Sequence, residues 1–500
     1  MKAKRILAFA LVLAVSFSAL LCIPAQAANI KTTPEVPVVY VHGFMGCSLY
    51  GGLDTGAPHQ IFSPTEEKIT ATVKDALLPV TEFLAHADWD KFVDDAAPVM
   101  YNLLGETYCD TNGDPLPGTG VDWEYPSKEE INSRTETTFT YDWRLSPVLL
   151  GQQLADYIDY VLECTGSDKV ALICHSYGNC VGMAYVAQYG VSKLSCFVFN
   201  ASAFYGETYT GKLLSGQLHI SGKMLLNYLK SSAFYNNDGG AALCDLLELL
   251  FVADSVEDIA NDGIDKVGDK IARDVLAPWF AGYCSIWAMV PDEYYEASRE
   301  YIFNNLFADT DYSGLEAKLD EFDRVVRSRR DEILDEIETI NHGVVARYNL
   351  QMAPVAEGCD SISDNTIDTK YASFGAVCCN YGETLPSGYK QAALTDVNYI
   401  SPDNMIDAST CRFPTKTWFV KDMPHDHDYG DIEELFYRII ANDGYDVNTD
   451  PDYPQWLVYN DDTEHVSSYA SAPVVEQSII LKILDFFKMI REWFLAFIGF

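Results

Sequence analysis

The sequence predicts an α/β protein, a mostly parallel sheet with helices on its faces and a helical cap inserted late. Three observations lead there. Short β-branched runs alternate with helix-period segments, a largely helical stretch interrupts that rhythm, and strand-like runs resume after it. With 500 residues, 48% hydrophobic and 13% aromatic, the chain can bury a large core, which excludes a disordered tail, a collagen-like rod or a disulfide mini-scaffold.

Taken in order, Lys2, Lys4 and Arg5 precede an apolar run over 6–21 and an Ala25-Gln26-Ala27 site, the pattern of a secretory signal peptide over 1–27. A lipoprotein reading through Cys22 lacks the small residue expected beside a lipidated cysteine. The run Val38-Val39-Tyr40-Val41 reads as a buried strand that stops at His42-Gly43-Phe44-Met45-Gly46. An irregular insertion with helical stretches follows over 51–130, then a second strand over 138–143. Pro147 opens a helix over about 148–165, which Gly166 closes.

A strand over 169–174, a helix over 179–189 and a strand over 195–200 continue the βαβ alternation, and the core's first part is 28–204. The stretch 205–340 reads as the cap, with helices such as 241–252 and 314–340. Strands near 344–350 and 417–421 and a helix over 431–441 complete the core within 341–477. The segment 478–500 reads as an amphipathic helix. Its polar stripe of Lys482, Asp485, Lys488 and Glu492 argues against a spanning segment and leaves burial or contact with a membrane surface through 479–500.

A net charge of −39 leaves no field to gather phosphate backbones, so nucleic acid is excluded as a partner; the acidity serves solubility first. Of thirteen cysteines, Cys22 lies in the leader, leaving an even number that permits disulfides without requiring them. No CxxC pair of zinc spacing occurs, and Cys174 and Cys180 read as small packing residues.

The chemistry centres on Cys174-His175-Ser176-Tyr177-Gly178, between a strand and a helix. A nucleophile there needs a strained turn that exposes its hydroxyl, with small neighbours because strand and helix approach closely. Ser176 is the candidate. Cys174 stands where glycine is commoner, and Gly182 leaves room for its sulfur. The backbone N–H groups of Phe44 and Tyr177 are the candidate oxyanion donors.

The H-G-F-x-G loop, the elbow at Ser176 and Tyr141-Asp142-Trp143-Arg144 together resemble serine hydrolases of the α/β-hydrolase superfamily, and the Y-D-W-R run is similar to that of lecithin:cholesterol acyltransferase-like lipases. The resemblance covers the sheet portions. It implies the α/β-hydrolase fold, a Ser, Asp, His order of triad residues, a helical lid and acyl-ester substrates. Residues 401–409 resemble the loop in which such lipases carry the acid, with Asp403 at the matching position and Asp407 as fallback. Read from the residues alone, Asp142 and Arg144 pair to brace the sheet, and Trp143 walls an acyl pocket or packs.

For the base, His425 leaves the last predicted strand just before a helix, with His427 and His465 as alternatives. Asp110-Thr111-Asn112-Gly113-Asp114 and Asp446-Val447-Asn448-Thr449-Asp450 mimic calcium loops but lack the glycine at position six and the carboxylate at position twelve, and no metal or other cofactor is expected. The expected activity is that of a secreted, and if the terminal helix contacts lipid membrane-associated, carboxylic ester hydrolase, a lipase or esterase acting on ester or lipid substrates through an acyl-enzyme. An acyltransferase using the same serine and a catalytically inactive binding protein are the alternatives.

Overall fold

The β-branched runs become neighbours in one sheet in the computed structural model, which describes residues 30–62, 75, 79, 82, 86, 88–219, 221–231, 261, 268–270, 272–354, 356–461 and 463–469. The segments read as a signal peptide over 1–27, as a helix over 241–252 and as a terminal helix over 478–500 lie outside the described residues. The strands are β1 (Val38–Val41), β2 (Glu136–Phe139), β3 (Val170–His175), β4 (Leu194–Asn200), β5 (Asn341–Tyr348), β6 (Thr417–Lys421), β7 (Trp456–Asn460) and β8 (His465–Ser468). Their spatial order is β8-β7-β6-β5-β4-β3-β1-β2, and every neighbouring pair is parallel except β7 and β8. The sheet is therefore α/β and mostly parallel, as the alternation of periods predicts.

Both faces of this sheet are covered, which is why its strands are nearly continuous in apolar residues. Val39, Val41, Leu172, Cys174, Phe197, Phe199, Val344 and Ala346 point to one side, onto α1 (Pro147–Thr165) and α2 (Gly178–Tyr189). The alternate residues Val38, Ala171, Ile173, Cys196, Val198 and Val345 meet Ile432, Leu435, Phe436 and Ile439 of α3 (Asp431–Ala441) on the other. Helix α1 starts where its sequence says: Ser146 caps it by accepting from the Val148 amide at 3.3 Å, Pro147 occupies its first turn, and Gly166 ends it with φ 73.

Three elements depart from expectation. β2 ends at Phe139, short of the strand expected through Trp143, because Tyr141 turns to donate its hydroxyl to the His42 carbonyl and Asp142 folds back onto Arg144. The helix expected over 314–340 breaks at Val326 (φ −120, ψ −62) into Ser313–Val325 and Arg330–Ile337. At that break Arg327 and Arg330 turn to Asp292 at 2.6 and 2.7 Å. Strands β7 and β8 extend the sheet beyond the last one expected. Between β5 and β6 the chain makes an excursion with short antiparallel pairs, Leu350–Gln351 with Ile362–Ser363 and Val377–Cys378 with Ile406–Asp407.

The described cysteines, Cys174 and Cys180 included, are free thiols, and these two are fully buried packing residues. A Cβ at Gly182 would lie 2.6 Å from the Cys174 sulfur, so the glycine makes the room a cysteine needs at this crossing. Gly178 is under tighter constraint, because a Cβ there would meet the Val41 and His42 carbonyl oxygens at 2.3 and 2.6 Å. Those are backbone atoms of the sheet and cannot swing aside. Gly178→Ala is expected to cost at least about 1–3 kcal/mol by overpacking, read as a lowered urea midpoint; an unchanged midpoint would show that α2 can lift from β1 freely.

Candidate active site

Ser176 sits between β3 and α2 with φ 52, a left-handed conformation that costs a residue with a Cβ roughly 1–2 kcal/mol. The surrounding backbone holds it there. Its amide donates to the Asn200 carbonyl at 3.0 Å, and its carbonyl accepts from the amides of Asn179 (3.0 Å) and Ala203 (3.3 Å). The Asn179 side-chain amide donates to the same carbonyl at 3.0 Å and to that of Cys174 at 2.8 Å, tying the strand end to the helix start. The loop after β1 comes close enough that a Cβ on Gly43 would lie 2.8 Å from the Ser176 Cβ.

That loop brings Phe44 beside the turn. The amide N–H groups of Phe44 and Tyr177 have no hydrogen-bond acceptor among the described residues, and their side chains are anchored elsewhere. The Phe44 ring meets Trp143 edge-on at 4.8 Å, and the Tyr177 hydroxyl donates to the Leu145 carbonyl at 2.8 Å. His42 fixes the loop from below: its Nδ1 contacts the Gly43 carbonyl at 2.8 Å, and its ring stacks on Tyr141 at 4.0 Å. Burial pushes its proton affinity down to about 4, so it is neutral, with Nδ1–H the donor that this contact requires.

Asp142 and Arg144 form the expected brace. Arg144 Nε and Nη2 donate to the two Asp142 carboxylate oxygens at 2.9 and 2.7 Å, both residues buried. Trp143 is fully buried among Phe44, Phe62 and Tyr283.

The loop leaving β6 carries His425. Its Nδ1 lies 2.8 Å from Oδ2 of Asp364, a side chain with no exposure. Asp364 is locked in turn, since its Oδ1 accepts from the amides of Thr366 (3.0 Å) and Ile367 (2.6 Å). The carboxylate accepts the hydrogen bond from Nδ1–H, which keeps the proton on Nδ1 and leaves Nε2 as the basic nitrogen. Burial alone would lower the proton affinity of His425, but the Asp364 charge and hydrogen bond outweigh it and raise it above the ordinary 6.5. Burial pushes the Asp364 carboxyl up, and His425, the Arg347 charge and the Ile367 amide more than reverse this, holding it below the usual carboxylate value. The His425 ring packs 4.8 Å from that of His175, the residue before Ser176. Ser176 Oγ and His425 are not hydrogen-bonded to each other in this state; such contacts commonly tighten only with substrate bound.

Ser176, Phe44, Tyr177 and His425 thus gather at the carboxyl ends of β1, β3 and β6, whereas the expected acid does not join them. Asp403 is held by Lys421 at 2.9 Å and the Ser401 hydroxyl at 2.7 Å, with the Tyr348 hydroxyl at 3.2 Å. Asp407 caps the turn over 408–410 through the Ser409 amide and accepts from the Tyr389 hydroxyl at 2.9 Å. The alternative histidines also point elsewhere: His427 Nδ1 contacts the Tyr459 hydroxyl at 3.2 Å, and His465, largely exposed, contacts Asp431 at 2.9 Å.

Asp364, the carboxylate found on His425, is a contact that sequence reasoning misses. It keeps the Ser, Asp, His order, and Asp364-Asn365 is a turn signal soon after the strand that precedes β6. Its segment shows neither strand nor helix period. Among the described residues no group of three or more histidines, cysteines or carboxylates is arranged to hold a metal. In the His/Asp stretch, His425 goes to Asp364, His427 to Tyr459 and Asp428 to Arg347.

No protein-family model and no curated protein matches the chain. A solved structure titled "The crystal structure of Tle4-Tli4 complex" aligns over 62% of this chain and 75% of that one, at 10% identity and a TM-score of 0.24.

Proposed function

We propose that this chain is a secreted serine carboxylic ester hydrolase of the α/β-hydrolase type, a lipase or esterase, with Ser176 as nucleophile, His425 as general base and Asp364 as its orienting acid. The observation that carries the reading is the fully buried Asp364 hydrogen-bonded to His425 Nδ1, at the sheet end where Ser176 occupies a left-handed turn. Nε2 of His425 takes the hydroxyl proton as Ser176 Oγ attacks the ester carbonyl, and the Phe44 and Tyr177 amides receive the developing oxyanion. His425 then gives its proton to the leaving alcohol. Water, deprotonated by the same imidazole, attacks the acyl-enzyme, and the imidazole returns that proton to Ser176 Oγ as the acid is released.

A serine-reactive aryl phosphonate tests this. It is expected to stop hydrolysis of p-nitrophenyl esters and to add one phosphonyl group to the peptide containing Ser176. No adduct, or an adduct elsewhere with activity intact, would overturn the assignment. The preferred acyl length in a p-nitrophenyl series then separates esterase from lipase.

The pH profile follows from His425. The base must be neutral to act, and Asp364 raises its proton affinity. Activity is therefore expected to fall as pH drops through a midpoint above 6.5 in kcat/KM, the quantity that reports the free enzyme. A midpoint well below 6 would contradict an Asp364-paired base.

A further inference from the structure

Beneath the base loop lies a second polar cluster that the acyl-transfer steps do not use. Arg347, on β5, has no exposure, and its guanidinium gathers three carbonyls of one loop: Pro424 at 2.7 Å, His427 at 2.9 Å and His425 itself. It also donates to the Asn200 side-chain oxygen at 2.9 Å and pairs with Asp428 Oδ1 at 2.5 Å. Asp428 accepts further from the Tyr40 hydroxyl at 2.6 Å and the Asn200 side-chain amide at 2.7 Å. His175, adjacent to Ser176, completes the cluster, with Nε2 3.0 Å from the His425 carbonyl and Nδ1 3.2 Å from Asp428 Oδ2. Strands β3 and β5 therefore reach the backbone of one short loop, and β1 and β4 reach its Asp428 side chain.

Resting on His425 being the general base, we propose that Arg347, Asp428 and His175 are positioning residues that hold the base loop against the nucleophile turn and keep the charge beneath it balanced. A loop leaving a strand end has no ladder to fix it, and three carbonyls on one planar guanidinium supply that fixation. A buried cation so close to the imidazole would disfavour the imidazolium formed on proton transfer, and the Asp428 carboxylate cancels that penalty.

The groups facing His425 are Asp364 from the excursion after β5, Arg347 from β5, Asp428 from its own loop, His175 from β3 and Glu207 from the loop after β4. Burial pushes the His175 proton affinity down to about 4 and the Asp428 carboxylate opposes that shift, the two ring nitrogens facing the His425 carbonyl and Asp428 Oδ2. Burial opposes ionisation of Asp428, but its His175 and Arg347 contacts and its Tyr40 and Asn200 donors hold its carboxyl well below the usual range.

The test is the pH dependence of ester hydrolysis by the full-length mature protein. In Asp428→Asn the uncompensated Arg347 lowers the proton affinity of His425, so the acid limb of kcat/KM is expected to move to lower pH by about half a unit or more, with the plateau reduced. The charge-balanced double variant Arg347→Met/Asp428→Leu is expected to return the limb toward that of the wild type. Its kcat is expected to stay at least about tenfold low because the loop is no longer held. A purely structural cluster would lower activity in both variants without moving the limb, and an unmoved limb in Asp428→Asn overturns the proposal. Should Asp428→Asn fail to fold by circular dichroism, His175→Leu, which fills the space without a donor, supplies the second measurement: loss of the bond to the His425 carbonyl is expected to lower kcat at least about threefold with KM unchanged, and an unchanged kcat overturns the proposal. Retention of full activity by Ser176→Ala would instead remove the underlying hydrolase reading, so the two failures are distinct.

Discussion

Ser176→Ala is expected to lower kcat for p-nitrophenyl ester hydrolysis by about 10⁴-fold or more and to abolish labelling by the aryl phosphonate. The size follows from removing the nucleophile of a unit whose remaining members cannot act without it; the residual rate belongs to the oxyanion donors and to binding alone. Fold and catalysis separate cleanly at this position. The hydroxyl is not tied to a hydrogen-bond partner in the described structure, whereas the Ser176 amide and carbonyl carry the bonds to Asn200, Asn179 and Ala203. The alanine variant therefore keeps every backbone contact and is expected to melt within a few degrees of the parent.

Ser176→Gly sharpens the test. Both variants lack the nucleophile, but glycine accepts φ 52 without the Cβ penalty, so it is expected to be as inactive as alanine and at least as stable. A serine kept where glycine is the more comfortable residue fits a turn shaped for reaction. Wild-type turnover in Ser176→Ala would refute the mechanism, and a glycine variant much less stable than the alanine one would show that the turn is not strained.

What the sequence made legible is what local chemistry determines. The run Val38-Val39-Tyr40-Val41, the Ser146-Pro147 start and Gly166 end of α1, and the small residues around Ser176 each encode their structure within a few positions, and each forms where expected. The place directly after a β-branched run put His425 first, although spacing could not rank it against His427, and the Asp364 contact that favours it is not local. The carboxylate that meets His425 was not legible in this way. The residues around Asp403 imitate a loop of the lipases they resemble, but whether a carboxylate reaches His425 depends on how the whole excursion from Leu350 to Ile406 folds back over the sheet. That path is set by pairings such as Leu350 with Ser363 and Cys378 with Ile406, far apart in sequence and two residues long. Arg347 was hidden for the same reason: a lone arginine in a strand shows nothing of the carbonyls it gathers. Strand β2 stopped early because the demands of Tyr141 and Asp142 outweigh the β propensity of the run.

Asp364→Asn is expected to reduce kcat by roughly 10⁴-fold, the scale at which an imidazole loses its orienting carboxylate. In the parent, the Asp364 carboxylate can only accept, so Nδ1 must carry the proton and Nε2 stays free to receive one from Ser176. An asparagine there can turn its NH₂ toward Nδ1, which reverses the tautomer and leaves Nε2 protonated and unable to act as base. The imidazolium formed during attack also loses its counter-charge. The acid limb of whatever activity remains is expected to move to lower pH, because the Asp364 charge is what lifts His425 against burial. Asp403→Asn is the matched comparison. Its carboxylate serves Lys421 and Ser401, so the change is expected to leave kcat within about threefold and to appear instead as lost stability, since a partly buried lysine is left without its partner. The reverse pattern, a collapse in Asp403→Asn with Asp364→Asn near parental, would require the excursion to rearrange on substrate binding and would return the acid to the position the sequence first suggested. With kcat and the melting midpoint measured for both, the two carboxylates are separated by which quantity moves: catalysis for the one on His425, stability for the one on Lys421.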